Sequence, residues 1–214
     1  MDKNEKIKII IALIINIVVF GLGVFCAIRF IGFSMNGNTD NRFRYFTNVS
    51  NLSVAFLSLI SAVYLLVSLF KGKNVYPWVL SLLKYLGIVM TTLTFITVVF
   101  VLAPISGYYE MYKKEKFITH LIIPVISFVS FIFLEDKIIF KWPISLLANL
   151  PLLLYGTIYI VCVVLTKVWP DIYQINKQGL WYLYTIAFIV ANFGISQGIY
   201  FLKKKVSKKA INLN

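Results

Sequence analysis

One histidine, two cysteines and eight acidic residues are all that 214 residues offer for metal ligation or acid–base chemistry. That scarcity excludes much. His120 stands alone, with no thiolate cluster and no carboxylate near it in sequence, so a zinc or iron site cannot be assembled and no metal is expected. Cys26 and Cys162 both lie inside apolar runs, where they read as small packed hydrophobes rather than a disulfide framework. No glycine-rich phosphate loop is present, so neither a nucleotide nor any other cofactor is implied. The stretch "GVFC" ending at Cys26 faintly resembles a lipoprotein processing site, but a bulky phenylalanine precedes the cysteine, and the run is too long for a signal peptide.

What is abundant is hydrophobic sequence. The chain is 60% apolar, against ~45–50% in a soluble domain. Several runs reach the ~20 residues that cross a bilayer as a helix. They are continuous rather than alternating, which argues against a β-barrel. The expected fold is an all-α integral membrane protein: one domain over residues 1–214, a bundle of six transmembrane helices. The spans are expected at about 9–29, 47–70, 85–105, 117–134, 146–166 and 181–202. Short loops make neighbouring helices antiparallel. No internal repeat or linker is visible.

The net charge of +13 does not point to nucleic acid. Lys and Arg fall in loops and tails, where topology and anionic headgroups place them, and no soluble domain exists to carry a nucleic-acid surface. The side holding both termini has thirteen of these residues, including Lys84, Lys137, Lys208 and Lys209, and the other side has eight, including Arg42, Arg44 and Lys177. The positive-inside rule then places both termini in the cytoplasm. The abundance of Lys, Ile and Asn is that of an AT-rich bacterial genome, so the expected location is the bacterial cytoplasmic membrane. The tail "KKKVSKK" reads as a topology anchor.

Against this background the stretch "RYFTNVSNL" (44–52) is unusual: Thr47, Asn48, Ser50, Asn51 and Ser53 crowd the start of span 2. Thr47, Ser50, Asn51, Ser58 and Ser61 share one helical face. His120 opens span 4, sharing a face with Pro124 and Ser127, and span 3 offers Thr91, Thr94 and Thr97. With six antiparallel spans, even-numbered helices start on the same side, so Thr47 and His120 share a depth. Parity does not say whether they touch. A hydroxyl, amides and an imidazole at one level can form a buried polar pocket, since polar groups in membrane helices face the bundle interior. The structural alternatives are ordinary: Ser and Thr pack helices closely, a Thr at a helix start is often an N-cap, and a His at a helix mouth can sit among headgroups. The loop "KVWPDIYQINKQG" (167–179) is aromatic and amphipathic, suited to lie over a site or simply to anchor at the interface. Glu135 and Asp136 lie at the opposite membrane face and are poor catalytic candidates.

Taken in order, "RYFTNVSNL", "HLIIP", "LPLLLYGTIYI" and "WPDIY" resemble the androgen-induced membrane hydrolases, a family that includes the androgen-dependent regulator of tissue factor pathway inhibitor, and in particular its bacterial six-span relatives. The resemblance implies an intramembrane threonine hydrolase with Thr47 and His120 as the essential pair, acting on a membrane lipid: the animal members cleave fatty acid esters of hydroxy fatty acids. "NVSN" replaces a more apolar stretch of those members, which leaves the substrate open. In such a reaction Thr47 is the nucleophile and His120 the base. Asn48, Ser50, Asn51 or backbone N–H groups at the start of span 2 are candidates to hold the substrate and its oxyanion. Asp171 reaches His120 only if the 5–6 loop folds over the site. Two other readings stand beside this one. A non-enzymatic lipid-binding or accessory protein would use the same polar cluster for a headgroup, with Arg42 and Arg44 meeting phosphate. A transporter ranks last, because the mid-membrane segments lack charged residues and no inverted repeat is visible. The oligomeric state is not legible.

Overall fold

The structure, a computed structural model, describes the backbone of residues 1–35, 44–135, 140–176 and 178–211, and the side chains of 1–29, 44–135, 140–176 and 178–207. Arg42, Asp136, Lys137 and Lys177, and the side chains of Lys208 and Lys209, lie outside the described residues.

Six helices are long and apolar enough to cross a membrane, and no strand occurs among the described residues. They are α1 (Lys3–Met35), α2 (Phe46–Lys71), α3 (Trp78–Ser106), α4 (Glu115–Leu134), α5 (Trp142–Leu165) and α6 (Trp181–Ile211). A short helix, Tyr108–Tyr112, joins α3 to α4. This is the all-α six-span bundle of a multi-pass membrane protein, with both termini on one side.

The helix α3 is the axis of the bundle. Its Tyr85, Ile88 and Val89 are fully buried against Phe131 and Ile132 of α4, Ala148 of α5, and Ile199 and Tyr200 of α6. The Tyr85 hydroxyl donates to the Ser196 carbonyl at 2.7 Å, satisfying the one polar atom of that ring. Close approach of α1, α2 and α3 is set by small residues, as is usual where lipid removes any hydrophobic preference between helices. A Cβ on Gly87 would stand 2.8 Å from Val54 Cγ2, and one on Gly23 would overlap the Cβ of Ala55. Gly23→Ile therefore destabilises the α1–α2 pair by about 1–3 kcal/mol, read as a fall in the unfolding midpoint in detergent. Gly21→Ile is the control, since a Cβ there meets nothing within 4 Å.

Besides α1, which runs Lys3–Met35 rather than about 9–29, two helices pass their expected bounds at a lysine. The helix α3 starts at Trp78 rather than near 85, which brings Lys84 inside it with 1% of its surface exposed. The helix α6 continues past 202 and buries Lys203 at 2%. Neither lysine is a loop anchor. Toward the ends of α3 and α4 a buried charge pair forms: the Lys84 ammonium stands 3.7 Å from the Glu135 carboxylate, both side chains almost fully buried. A lysine that finds a carboxylate can stay in a helix that hydropathy alone would end before it.

Candidate functional site

The opening of α2 is held from outside the helix. Tyr45 is its N-cap residue, in extended conformation and with no side-chain cap. The Phe46 N–H donates instead to the Tyr173 hydroxyl of the 5–6 loop at 2.9 Å. Thr47 is thus in the first turn, not at the cap, and its hydroxyl does no capping work. Three residues of the polar stretch point into the bundle. Ser50 Oγ donates to the Thr47 carbonyl (3.0 Å) and meets Thr94 Oγ1 of α3 at 3.2 Å. Asn51 Nδ2 donates to the Thr47 carbonyl (2.7 Å) and to the Thr119 carbonyl of α4 (2.9 Å). Asn48 is buried.

One amide nitrogen therefore joins the carbonyl of Thr47 to that of the residue before His120. The beginnings of α2 and α4 are neighbours, with the spacing between them fixed by Asn51. Asn51 Oδ1 is buried and has no hydrogen-bond partner among the described residues. The donors of Ser50 and Asn51 are already committed in this conformation.

His120 lies in a widened π-helical turn, Ile118–Ile122. Pro124 supplies the reason: it has no N–H to give the His120 carbonyl, and the Ile123 N–H instead reaches back to the Ile118 carbonyl. Such turns recur at functional sites. The ring is 9% exposed, and its Nδ1 stands 2.7 Å from the Met111 carbonyl on the short connecting helix. A carbonyl only accepts, so Nδ1 carries the proton in the neutral ring and Nε2 carries the lone pair. That is the tautomer a general base requires.

A cavity of about 150 Å³ opens beside Thr47. Its wall is mainly apolar, including Leu93, Leu152, Phe188 and Ile189, and Thr47 is part of it. It lies between α2, α3, α5 and α6, and Leu153 and Thr157, both exposed, stand at its edge on the α5 side. His120, Asn51 and Asp171 are not in its wall. No hydrogen bond joins Thr47 Oγ1 to His120 among the described residues.

The 5–6 loop folds over one end of this cavity, placing Tyr173 and Ile175 in the wall. Asp171 is what shapes the loop. Its Oδ1 accepts from the Tyr159 hydroxyl and the Ile175 N–H, both at 3.1 Å, and its Oδ2 from the Asn176 N–H at 2.7 Å. Asp171 is engaged within the loop, and no bond connects it to His120 among the described residues. Tyr173 is seated by its contact with α2, and burial holds its hydroxyl protonated above the usual tyrosine range. Tyr155 completes the seat, donating to the Arg44 carbonyl at 2.7 Å. The Arg44 guanidinium lies 6.0 Å from the Tyr45 ring centroid.

In the sequence Tyr173 is visible only as one aromatic of the 5–6 loop; its hold on α2, and the part of Tyr155, depend on the path of that loop. At the other end of the bundle the sequence shows Lys84 as a flanking charge and Glu135 as a residue of the far membrane face, but not their joining with Asn16, for which a lone Asn within "IINIVV" was the available signal. Comparison of the chain with family models, with characterised proteins and with solved structures finds no match, so the likeness to the membrane hydrolases rests on the short motifs alone.

Proposed function

We propose that this membrane protein hydrolyses an acyl-lipid ester, with Thr47 as nucleophile and His120 as general base. The observation that carries the reading is Thr47 in the wall of an apolar cavity, on a helix start that Asn51 ties to the His120-bearing turn. The acyl chain lies in the cavity and the ester carbonyl at Thr47. Thr47 Oγ1 attacks that carbonyl while its proton passes to His120 Nε2, and the same proton then goes to the departing alkoxide. Water, activated by His120, hydrolyses the acyl-threonine and restores both side chains. With Ser50 and Asn51 committed to carbonyls and the Phe46 N–H to Tyr173, the Thr47 N–H in the first turn is the favoured oxyanion donor. Transfer between Thr47 and His120 requires the two to come within hydrogen-bond reach, and catalytic hydrogen bonds commonly tighten when substrate binds.

A second reading, binding of an acyl lipid without hydrolysis, is favoured by one observation: His120 lies outside the cavity wall. The two separate on the wild-type protein, and one variant tests the cavity that both share. Gly156 lines the cavity, and a Cβ there meets nothing within 4 Å. Gly156→Phe is designed to put a ring into the cavity from a position where the first added carbon is free of contacts. It is expected to abolish both retention of a photoactivatable acyl lipid and release of fatty acid from lipid esters in nanodiscs. Wild-type protein that retains the lipid and releases no fatty acid from any of a panel of esters supports binding alone. Retention unaffected by Gly156→Phe excludes the cavity from either role.

A further inference from the structure

The end of the bundle away from Thr47 holds a second polar centre. Lys84 Nζ donates to Asn16 Oδ1 of α1 and to Ser58 Oγ of α2, and faces Glu135 Oε1 at 3.7 Å. Glu135 Oε1 accepts from Asn16 Nδ2 at 3.0 Å and from Ser130 Oγ at 2.9 Å. Lys203 Nζ of α6 holds the main-chain carbonyls of Ile132 (3.2 Å) and Glu135 (2.6 Å). Five of the six spanning helices thus contribute to one buried cluster. Ionisable groups in such a place mark proton and ion pathways more often than they mark packing.

The two carboxylate oxygens differ. Oε1 is saturated with donors, whereas Oε2 is buried and has no hydrogen-bond partner among the described residues. A proton added there displaces no existing bond. Glu135 also stands where the chain leaves α4, its backbone already extended, at the water-facing end on the side of the termini.

We infer that this cluster is a proton-binding site, in which Glu135 takes up a proton on Oε2 from the aqueous phase on the side of the termini. The charged groups facing it among the described residues are Lys84 from α3 and Lys203 from α6; Asn16 from α1, Ser58 from α2 and Ser130 from α4 itself are uncharged. Uptake makes Glu135 neutral and removes the counter-charge that it presents to Lys84. The bonds from Asn16 and Ser130 to Oε1 survive, because a carboxylic acid carbonyl still accepts. The Lys84 attraction does not, and the tie from α3 to the end of α4 loosens. Proton occupancy is thereby linked to the packing of the helix ends, independently of any chemistry at Thr47.

Infrared difference spectroscopy of the full chain in nanodiscs, stepped from neutral to acidic pH, tests this. The expected result is a carboxylic-acid carbonyl band of a desolvated group, absent in Glu135→Gln. Removing an opposite charge favours the neutral carboxyl, so Lys84→Met raises the midpoint of that band by about 1–3 pH units. Ser130→Ala takes away a hydrogen bond to the carboxylate and raises it by less. If Lys84→Met does not fold, Ser130→Ala, which keeps both charges, carries the test. A spectrum that Glu135→Gln leaves unaltered, or a midpoint that the folded variants do not move, overturns the proposal and makes the cluster a static tie between helices.

Discussion

Lys84→Met alone is expected to lower stability by about 3–5 kcal/mol, while Lys84→Met combined with Glu135→Gln recovers most of that loss. The reason is an asymmetry. Two opposite charges buried 3.7 Å apart roughly offset their desolvation by mutual attraction and hydrogen bonds. Removing one leaves the other charged, buried and uncompensated. In Lys84→Met the Glu135 carboxylate keeps its donors from Asn16 and Ser130 but loses its counter-charge, and Asn16 Oδ1 loses the ammonium it accepts from. Replacing Glu135 by Gln in the same chain removes the stranded charge and keeps an amide oxygen for the same donors. A double-mutant cycle read by thermal unfolding in one detergent checks it. Additive losses, or a single variant as stable as wild type, would mean that the pair is not coupled as its geometry indicates.

Thr47→Ala is expected to eliminate ester turnover while leaving acyl-lipid retention at the wild-type level, because one hydroxyl is a small part of an apolar cavity wall. His120→Ala lowers turnover by about 10²–10⁴-fold, the usual contribution of a positioned base, with retention again unchanged, since the ring does not line the cavity. Thr47→Ser keeps a nucleophile and retains measurable turnover. Initial rates on a lipid ester in nanodiscs, alongside photo-crosslinking of the acyl chain, give both quantities on the same samples. A Thr47→Ala protein with wild-type turnover sinks the nucleophile assignment. Loss of retention in His120→Ala would show that the histidine shapes the cavity rather than moving a proton.

The six spans were legible because a bilayer imposes a length and an apolar composition on each, and α2 lies within a residue of expectation at both ends. Two of the bounds that slipped did so at buried lysines. Lys84 looked like a helix flank because hydropathy counts a charge and cannot see its partner on another span. Parity placed Thr47 and His120 at one level, and the Asn51 bridge from Thr47 to Thr119 shows the two helix starts to be neighbours. Helix rotation was not legible, because it is fixed by contacts such as Gly23 on Ala55 and Gly87 on Val54. The polar stripe of α2, continuous in sequence, therefore serves two places: Ser50 and Asn51 work at the Thr47 end, whereas Ser58 belongs to the Lys84 cluster. The seat of Tyr173 on the Phe46 N–H was hidden for a different reason, since it depends on how Asp171 folds a loop with no periodicity of its own.

The central claim is that Thr47 is an activated nucleophile. Treating the full chain in nanodiscs with a lipid-like fluorophosphonate, and mapping adducts by mass spectrometry in wild type, Thr47→Ala and His120→Ala, tests it most directly. The account predicts a single adduct on Thr47, absent in Thr47→Ala and strongly reduced in His120→Ala. Folded wild-type protein that retains an acyl lipid in the cavity yet acquires no adduct at Thr47 would contradict it.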